Sequence, residues 1–517
     1  MAPRLTASPQ GEALCSRVDG GCVHHSKIKA GRLLINEKEE PTLKKTLAIV
    51  LALVMLLGMM SFASAEGYNM PEMNTTDEIT LSFMTWDDFE MTEALAAKFM
   101  EKYPNIKVEV LRTTTADIAG ELLNRAATND LPDVYFWLDL EPLMAGKYMY
   151  DITEYIENDE EAQTMLYDTL KKVGYLDGQR CYFMAGEFLP ATVYCDANVF
   201  EKMNVELPSQ NWTWEEMLDL IDKLADPSQG YWGHFGGMYS YVTGGPIALT
   251  DNAIGEFGWN GEQYDFASGW VDSVETQIEN LRLGKDLDVA SPEYQALNLG
   301  DEWGGQTGHV GIVTDAFWTL NNIYSKPICT DRGTKMIPYN PPVGADAENA
   351  GQLGFLDFFS ISATCEHPRE AYELAKFLTW GKEGWMERIN LFPTLTWEST
   401  GEKAYDVPNC LPMITDEEVV NAYVAIMPDL GYWNDWAAFM GGIQNPVTWG
   451  SRSIPGFASF VNNYYHGSDY NGTVGIENAI REGTVDPYDY TDKLAEAGRQ
   501  YYEEAMAVFF GVYGQPE

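Results

Sequence analysis

Between residues 79 and 139, short apolar runs alternate with stripes at helical spacing. The runs 79–86, 106–112 and 133–137 read as strands. Met91, Leu95 and Phe99 recur every four residues between the first two, and Ile118, Leu122 and Leu123 stripe the segment 116–128 that follows the second. Such spacing predicts helices that lay one apolar face on a sheet. The first should end at Tyr103, because the residue before Pro104 disfavours helix. Strand–helix–strand order predicts a parallel sheet with right-handed crossovers. In open sheets of this kind, ligands sit beyond the carboxyl ends of the strands. There the first strand finishes on Trp86, Asp87 and Asp88, and the third on Trp137, Leu138 and Asp139. An indole face and a carboxylate placed twice at that edge suit a polar, ring-shaped molecule.

From residue 180 the pattern changes. Residues 181–187 and 191–195 read as paired strands, followed by a short helix over 196–202. Thr213 and Glu216 have the spacing of a capping box, ahead of a buried stripe of Met217, Leu220, Ile221 and Leu224. Residues 226–310 are rich in glycine and aromatics, among them Trp232, Tyr239, Tyr241, Trp259, Trp270 and Trp303. The run 310–315 reads as a strand leading into a helix over 317–323. Residues 368–380 form a helix with proline at its start, Ala371, Leu374, Ala375 and Leu378 on one face, and Gly381 at its end. Residues 488–510 read as helical too. No internal repeat or low-complexity tract interrupts the series.

The leader changes the picture. Residues 44–65 have the three parts of a secretory signal: Lys44 and Lys45, an apolar run over 47–60, and Ala63-Ser64-Ala65. A membrane anchor is the competing reading, but the run is short for a bilayer and only polar sequence follows. Glu66, not cysteine, follows Ala65, so no lipid anchor is expected and the mature chain belongs outside the cytoplasm. Residues 1–43 read as a mis-assigned start or a disordered extension. Their Cys15, Cys22, His24 and His25 do not match a zinc-ligand spacing.

A mature chain of about 452 residues is too long for one core, so two domains are expected. Dropping residues 1–65, with their 8 basic and 5 acidic side chains, leaves 25 basic against 73 acidic, a net charge of −48. That charge repels phosphate backbones and anionic lipid and favours a soluble monomer. An aromatic content of 13% argues against a disordered acidic chain. Five cysteines remain, Cys181, Cys195, Cys329, Cys365 and Cys410, and an odd number speaks against a disulfide framework. A single bridge between Cys181 and Cys195 stays open if their segment folds back. None has C-x-x-C spacing.

Six segments, in this order, carry a resemblance: the opening strand and helix; Leu131-Pro-Asp-Val-Tyr-Phe-Trp137; Cys181-Tyr-Phe-Met-Ala-Gly-Glu187; Asn198-Val-Phe-Glu-Lys202 with Thr213-Trp-Glu-Glu216; the stretch 310–321; and the helix 371–380. Together they resemble the family 1 extracellular solute-binding proteins of ABC importers, the group containing maltodextrin-binding protein. The resemblance implies an α/β, two-lobed periplasmic-binding-protein fold of type II with hinge crossings between the lobes. Residues 66–186 with 316–365 would form the N-terminal lobe, and 187–315 with 366–517 the C-terminal lobe. It implies a sugar or oligosaccharide in the interlobe cleft, delivery to a membrane permease, and no cofactor, metal or catalysis. By the same resemblance, Trp137 matches a stacking tryptophan, Asp139 lies near a ligand carboxylate, Glu187 matches a hinge carboxylate that binds sugar hydroxyls, and Asp87 and Asp88 match first-loop polar ligands.

Three departures stand out. The lipid-anchor cysteine of Gram-positive members is missing, Asp315-Ala-Phe replaces the usual Gly-x-Trp and moves the tryptophan to Trp318, and a long insertion follows residue 226. The remaining candidates for ligand contact are Trp86, Asp315 (equally a helix cap), Trp318, Trp433 beside Trp436, and one of Trp232, Tyr239 and Trp259. Trp212 and Trp214 read as structural. The alternative function is a secreted glycan hydrolase using paired carboxylates. With 73 acidic residues, such pairs alone decide nothing, and no H-E-x-x-H, G-x-S-x-G or P-loop occurs in the mature chain. His234, His309, His367 and His466 are scattered. An adhesin should show repeats or an anchor, and neither is visible.

Overall fold

The structure, a computed structural model, describes residues 68–516 except 87, 237–240, 242–243, 252, 299–306, 321–332, 346–350, 397–400, 402, 404–406, 409, 444–445 and 449–451. The predicted leader, Asp87, Tyr239, Trp303, Cys329 and most of the helix expected over 317–323 therefore lie outside the described residues.

Among the described residues, nine strands are joined by hydrogen bonds: β1 (Ile79–Thr85), β2 (Ile106–Arg112), β3 (Val134–Trp137), β4 (Met184–Asp196), β5 (Trp232–Gly236), β6 (Val310–Ala316), β7 (Met336–Tyr339), β8 (Gln352–Ile361) and β9 (Pro446–Thr448). The main order is β2-β1-β3-β8-β4-β6-β5, with β7 beside β4 and β9 beside β8. As the opening pattern predicts, β1 runs parallel to both β2 and β3. The helices used below are α1 (Phe89–Lys102), α2 (Ile118–Ala127), α3 (Leu140–Gly146), α4 (Asp168–Lys172), α5 (Ala197–Met203), α6 (Trp214–Leu224), α7 (Trp270–Arg282), α8 (Pro368–Thr379), α9 (Lys382–Leu391) and α10 (Thr491–Tyr513).

Most of the expected elements form. α1 buries Met91, Leu95 and Phe99. α6 opens on a capping box in which the Thr213 hydroxyl accepts the Glu216 N–H and the Glu216 carboxylate accepts the Thr213 N–H. α2 buries Ile118 and Leu122 but exposes Leu123. One residue is about 100° of helical turn, enough to carry Leu123 off the buried stripe.

The largest departure is β4. The expected pair of strands is one continuous strand of 13 residues, buried throughout. Pro190 reads as a break because it has no N–H to donate. In the structure it sits where β4 changes partners: up to Pro190 the strand pairs with β8, and from Ala191 onward with β6, then β7. A missing donor costs little at such a junction, and the Pro190 carbonyl accepts the Phe317 N–H at 2.9 Å. At about 3.3 Å per residue, β4 spans roughly 40 Å. Cys181 lies ahead of it and Cys195 near its far end, so they cannot bridge; both are buried and free.

β4 thus belongs to two sheets. Its first half joins β1, β2, β3, β8 and β9, and its second half joins β5, β6 and β7. A large core cluster holds Leu81, Phe99 and Phe358 and runs on to Trp232, Val313 and Met336 of the second sheet, and a smaller one beside that sheet holds Trp212, Met217, Ile221 and Ile312. The result is a two-lobed α/β molecule with β4 running from one lobe into the other. A third cluster, unusually aromatic, gathers Phe257, Trp259, Tyr264, Phe266 and Trp270 with Phe457 and Phe460. α10 ties it to the first lobe, burying Leu494 in the aromatic cluster and Phe509 in the main core.

Candidate functional site

Side chains along a strand alternate between faces. On β8, Phe355, Asp357 and Phe359 share one face, and Leu356 and Phe358 the other. Asp357 is the only charged residue in this ten-residue buried strand. Opposite it, in register, stands Glu187 of β4.

Glu187 reaches that face because of a bulge. Ala185 pairs with Phe358, but Glu187 pairs with Asp357, so Gly186 is an extra residue. Without it, Glu187 would oppose Leu356 and point into the core, since a one-residue slip turns every side chain over. Glycine is required there by space. A Cβ on Gly186 would lie 2.4 Å from the Phe136 ring and 3.2 Å from the Phe359 ring.

Arg452 completes the charged centre, donating from Nη1 to Asp357 Oδ1 at 2.6 Å. Charge-assisted bonds of this kind are short and strong. Aromatic rings extend the strip in both directions. Phe359 pairs with Phe136, and Phe136 lies 5.4 Å from Trp86 between ring centroids. At the other end, Phe355 meets Trp318 at 4.5 Å. Both tryptophans are half-buried.

A cavity of about 210 Å³ opens beside Arg452, lined also by Leu138, Asp139, Glu141, Phe457 and Val461. Asp139 accepts the Glu141 N–H at 3.2 Å and so caps α3, and burial raises its carboxyl pKa above the usual range. Glu141 accepts from the Ser459 N–H at 3.2 Å and the Ser459 hydroxyl at 2.5 Å, fastening α3 to the segment that carries Arg452. Beyond Asp139 and Glu141 the space widens into an open groove of about 510 Å³ reaching Asn463 and Tyr501.

The expected residues fare unevenly. Trp86, Asp139, Glu187 and Trp318 lie along this strip or its cavity. Trp137 does not. It is fully buried, stacks on Phe358 at 5.3 Å and donates its indole N–H to Ser360 Oγ at 2.9 Å. Because it pairs with Phe358, it shares that residue's face and packs in the core behind the strip. Trp232 is likewise core, edge-on to Tyr294 at 5.9 Å. Trp259 is buried against Tyr264 and Tyr502. Asp88 faces Arg388 of α9 at 3.4 Å. Asp315 accepts from the Ala316 N–H and the Thr319 hydroxyl, the capping alternative, and burial raises its pKa. Trp433 lies edge-on to Trp436 at 4.7 Å and packs on both the large core cluster and the smaller one beside the second sheet.

Asp357, Arg452 and the phenylalanines at 136, 355 and 359 were not among the expected residues. A lone aspartate inside an apolar strand run was the available signal for Asp357, because a buried charge needs a partner. Nothing local marks Arg452, which lies 95 positions away. Among the described residues, no group of three or more His, Cys, Asp or Glu is placed to hold a metal ion, and no helix is long and apolar enough to cross a membrane.

Two lobes sharing a strand, with a charged and aromatic strip where that strand crosses, define a hinged solute-binding protein. Residues 94–397 match the family model for bacterial extracellular solute-binding proteins, and the chain belongs to that family. Solved structures of the same fold include an ABC substrate-binding protein from Listeria monocytogenes in complex with cycloalternan, at 17% identity and a TM-score of 0.56, covering 83% of this chain and 100% of that one. The cyclic α-maltosyl-1,6-maltose binding protein from Arthrobacter globiformis is similar at 15% identity and a TM-score of 0.57, with 83% and 100% covered. A sugar transporter from Rhizobium etli in an open conformation also matches at 15% and 0.57, with 81% and 99% covered. The family places the protein outside the cytoplasm and in a class that binds rather than transforms its solute.

Proposed function

We propose that this chain is the substrate-binding subunit of an ABC importer and that it holds a neutral sugar or oligosaccharide on the β4–β8 strip between its lobes. The observation that carries this reading is the in-register pair Glu187 and Asp357, joined by Arg452 and flanked by Phe355 and Phe359. A sugar ring offers apolar C–H faces to aromatic rings and hydroxyls to paired acceptors and donors. Trp86 and Trp318 supply ring faces at the ends of the strip, Glu187 and Asp357 accept hydroxyls, and Arg452 donates. Asp139 and Glu141 add acceptors where the cavity passes into the wider groove, which leaves room for a chain of sugar units. Four carboxylates to one guanidinium favour an uncharged polyol over an acidic one. The sugar ligands named for the Listeria and Arthrobacter proteins of this fold support the same class of solute.

The solute leaves unaltered. A glycosidase acid must carry a proton to the leaving oxygen, whereas Asp357 is engaged as the acceptor of a guanidinium. One lobe is built on β1, β2, β3, β8, β9 and the first half of β4, the other on β5, β6, β7 and the second half of β4, so β7 and β9 lie across the bounds 316–365 and 366–517 expected from the resemblance. The leader 44–65 is removed after about Ala65, and the mature monomer, closed around its sugar, presents a shape that a permease recognises. The test pairs thermal melting against an oligosaccharide panel with chromatography of each mixture. A raised melting temperature with the sugar recovered intact is expected. Sustained release of shorter products replaces this reading with the hydrolase.

A further inference from the structure

The cavity beside Arg452 and the open groove beyond it meet at Asp139 and Glu141, which line both. The groove is more than twice as large, about 510 against 210 Å³. α3 forms one side of it through Pro142 and Ala145, and α10 the other through Tyr501, Glu504 and Val508. Its rim is open to solvent: Val508 is 47% exposed, and Ala145, Asn463 and Glu504 are exposed too. A chain seated in the cavity can therefore continue outward past the two shared carboxylates.

Among the described residues, Tyr501 is the only aromatic side chain that lines the groove. It is held on three sides. Gly456, with φ 76°, lets the backbone of α10 come close, since a Cβ there would lie 2.3 Å from the Tyr501 carbonyl oxygen. The Tyr501 hydroxyl donates to Asp469 Oδ2 at 2.7 Å. Its ring lies 6.1 Å from the Phe460 ring between centroids. A ring already fixed in place loses little freedom when a guest packs on it. Around it stand the carboxylates of Glu141 and Glu504 and the amide of Asn463, which can both donate and accept. The groove thus repeats the chemistry of the β4–β8 strip, a ring face among hydrogen-bonding groups, which is what a sugar unit requires.

We infer that the groove takes the outer units of an oligosaccharide whose inner part occupies the cleft, and that Tyr501 sets a preference for long chains over short ones. The inference rests on the cleft reading given above. Calorimetric titrations of the mature protein use malto-, cello-, xylo- and manno-oligosaccharides, each from disaccharide to hexasaccharide. In a series that binds, wild type should hold the tetrasaccharide about tenfold or more tightly than the disaccharide, as one added stacking contact with its buried area allows. The hexasaccharide should bind no more weakly than the tetrasaccharide, because the rim is open. Tyr501→Ala should bring the disaccharide and tetrasaccharide affinities close together. Tyr501→Phe, which keeps the ring and loses the bond to Asp469, should preserve the difference. Thermal melting checks that both variants fold, and the wild-type length series tests the groove even where the alanine variant does not. Equal affinity for all lengths in wild type overturns the groove and leaves the cleft reading standing. A length preference that survives in folded Tyr501→Ala, or that is lost equally in Tyr501→Phe, overturns the role of the Tyr501 ring. If no series binds at any length, the cleft reading falls and the groove falls with it.

Discussion

Phe136 and Trp137 are neighbours in one short strand, yet they lie on opposite faces of the sheet. Phe136 meets Phe359 and Trp86 on the side that carries the Asp357–Arg452 pair. Trp137 meets Phe358 and Phe183 on the side that is closed core. The two faces of β8 differ in the same way: rings interrupted by charge in front, rings and aliphatics behind. Strand parity, more than residue type, decides which aromatic is offered to a solute. The bulge at Gly186 shows how little is needed to reassign a residue, since one inserted position carries Glu187 from the core face to the site.

The contrast can be broken first from behind. Trp137→Ala removes a fully buried indole, and thermal or denaturant unfolding should show a loss of about 3–5 kcal/mol. Solute affinity per folded molecule should change little. From the front, Asp357→Ala leaves the Arg452 guanidinium without its partner. Breaking a buried pair costs about 3–5 kcal/mol, and partial exposure of Arg452 places this variant near the lower figure. Here solute affinity should collapse as well, read by calorimetry.

Gly186→Ala tests the bulge that separates the faces. Its Cβ meets Phe136 and Phe359, so overpacking of about 1–3 kcal/mol is expected in the melt, with weakened binding because Glu187 and its flanking rings shift together.

The smallest effect belongs to a control remote from both faces. His466 Nδ1 lies 2.7 Å from Glu477. The Glu477 carboxylate raises the His466 pKa above 6.5, and the His466 hydrogen bond lowers that of Glu477 below 4.5. The histidine's contribution is complete below pH 6.5 and fades as pH rises through its raised value. The glutamate's contribution is complete above pH 4.5 and fades as pH falls through its lowered value. His466→Gln should therefore destabilise most between about pH 4.5 and 6.5. The loss should stay below about 1 kcal/mol, because the pair is half-exposed, and be smaller at pH 8.

Much of this was legible in the chain. The opening strands and helices, the Thr213–Glu216 cap and the helix after Pro368 all follow from short-range spacing, and short-range spacing is what a sequence displays; Glu187 was named only through the family resemblance. The site was half legible. Strand ends pointed to the edge where Trp86 and Asp139 stand, but not to which of two adjacent aromatics faces outward. That depends on the pairing of β3 with β8, more than 200 residues away. The pair expected over 181–187 and 191–195 is a single strand, and only the switch of partners from β8 to β6 explains why Pro190 does not end it. Gly186 was the readable hint of a bulge. Arg452 had none, since its meaning lies wholly in the aspartate it meets.

The most direct test compares wild type with Glu187→Gln, a change of charge with almost no change of volume at the bulge itself. Calorimetry against the oligosaccharide that gives the largest melting shift should show one site in wild type and at least a tenfold loss in the variant, about 1.4 kcal/mol, with both proteins melting alike. Undiminished affinity in a folded Glu187→Gln protein would contradict the claim that the front face of β4 and β8 holds the solute.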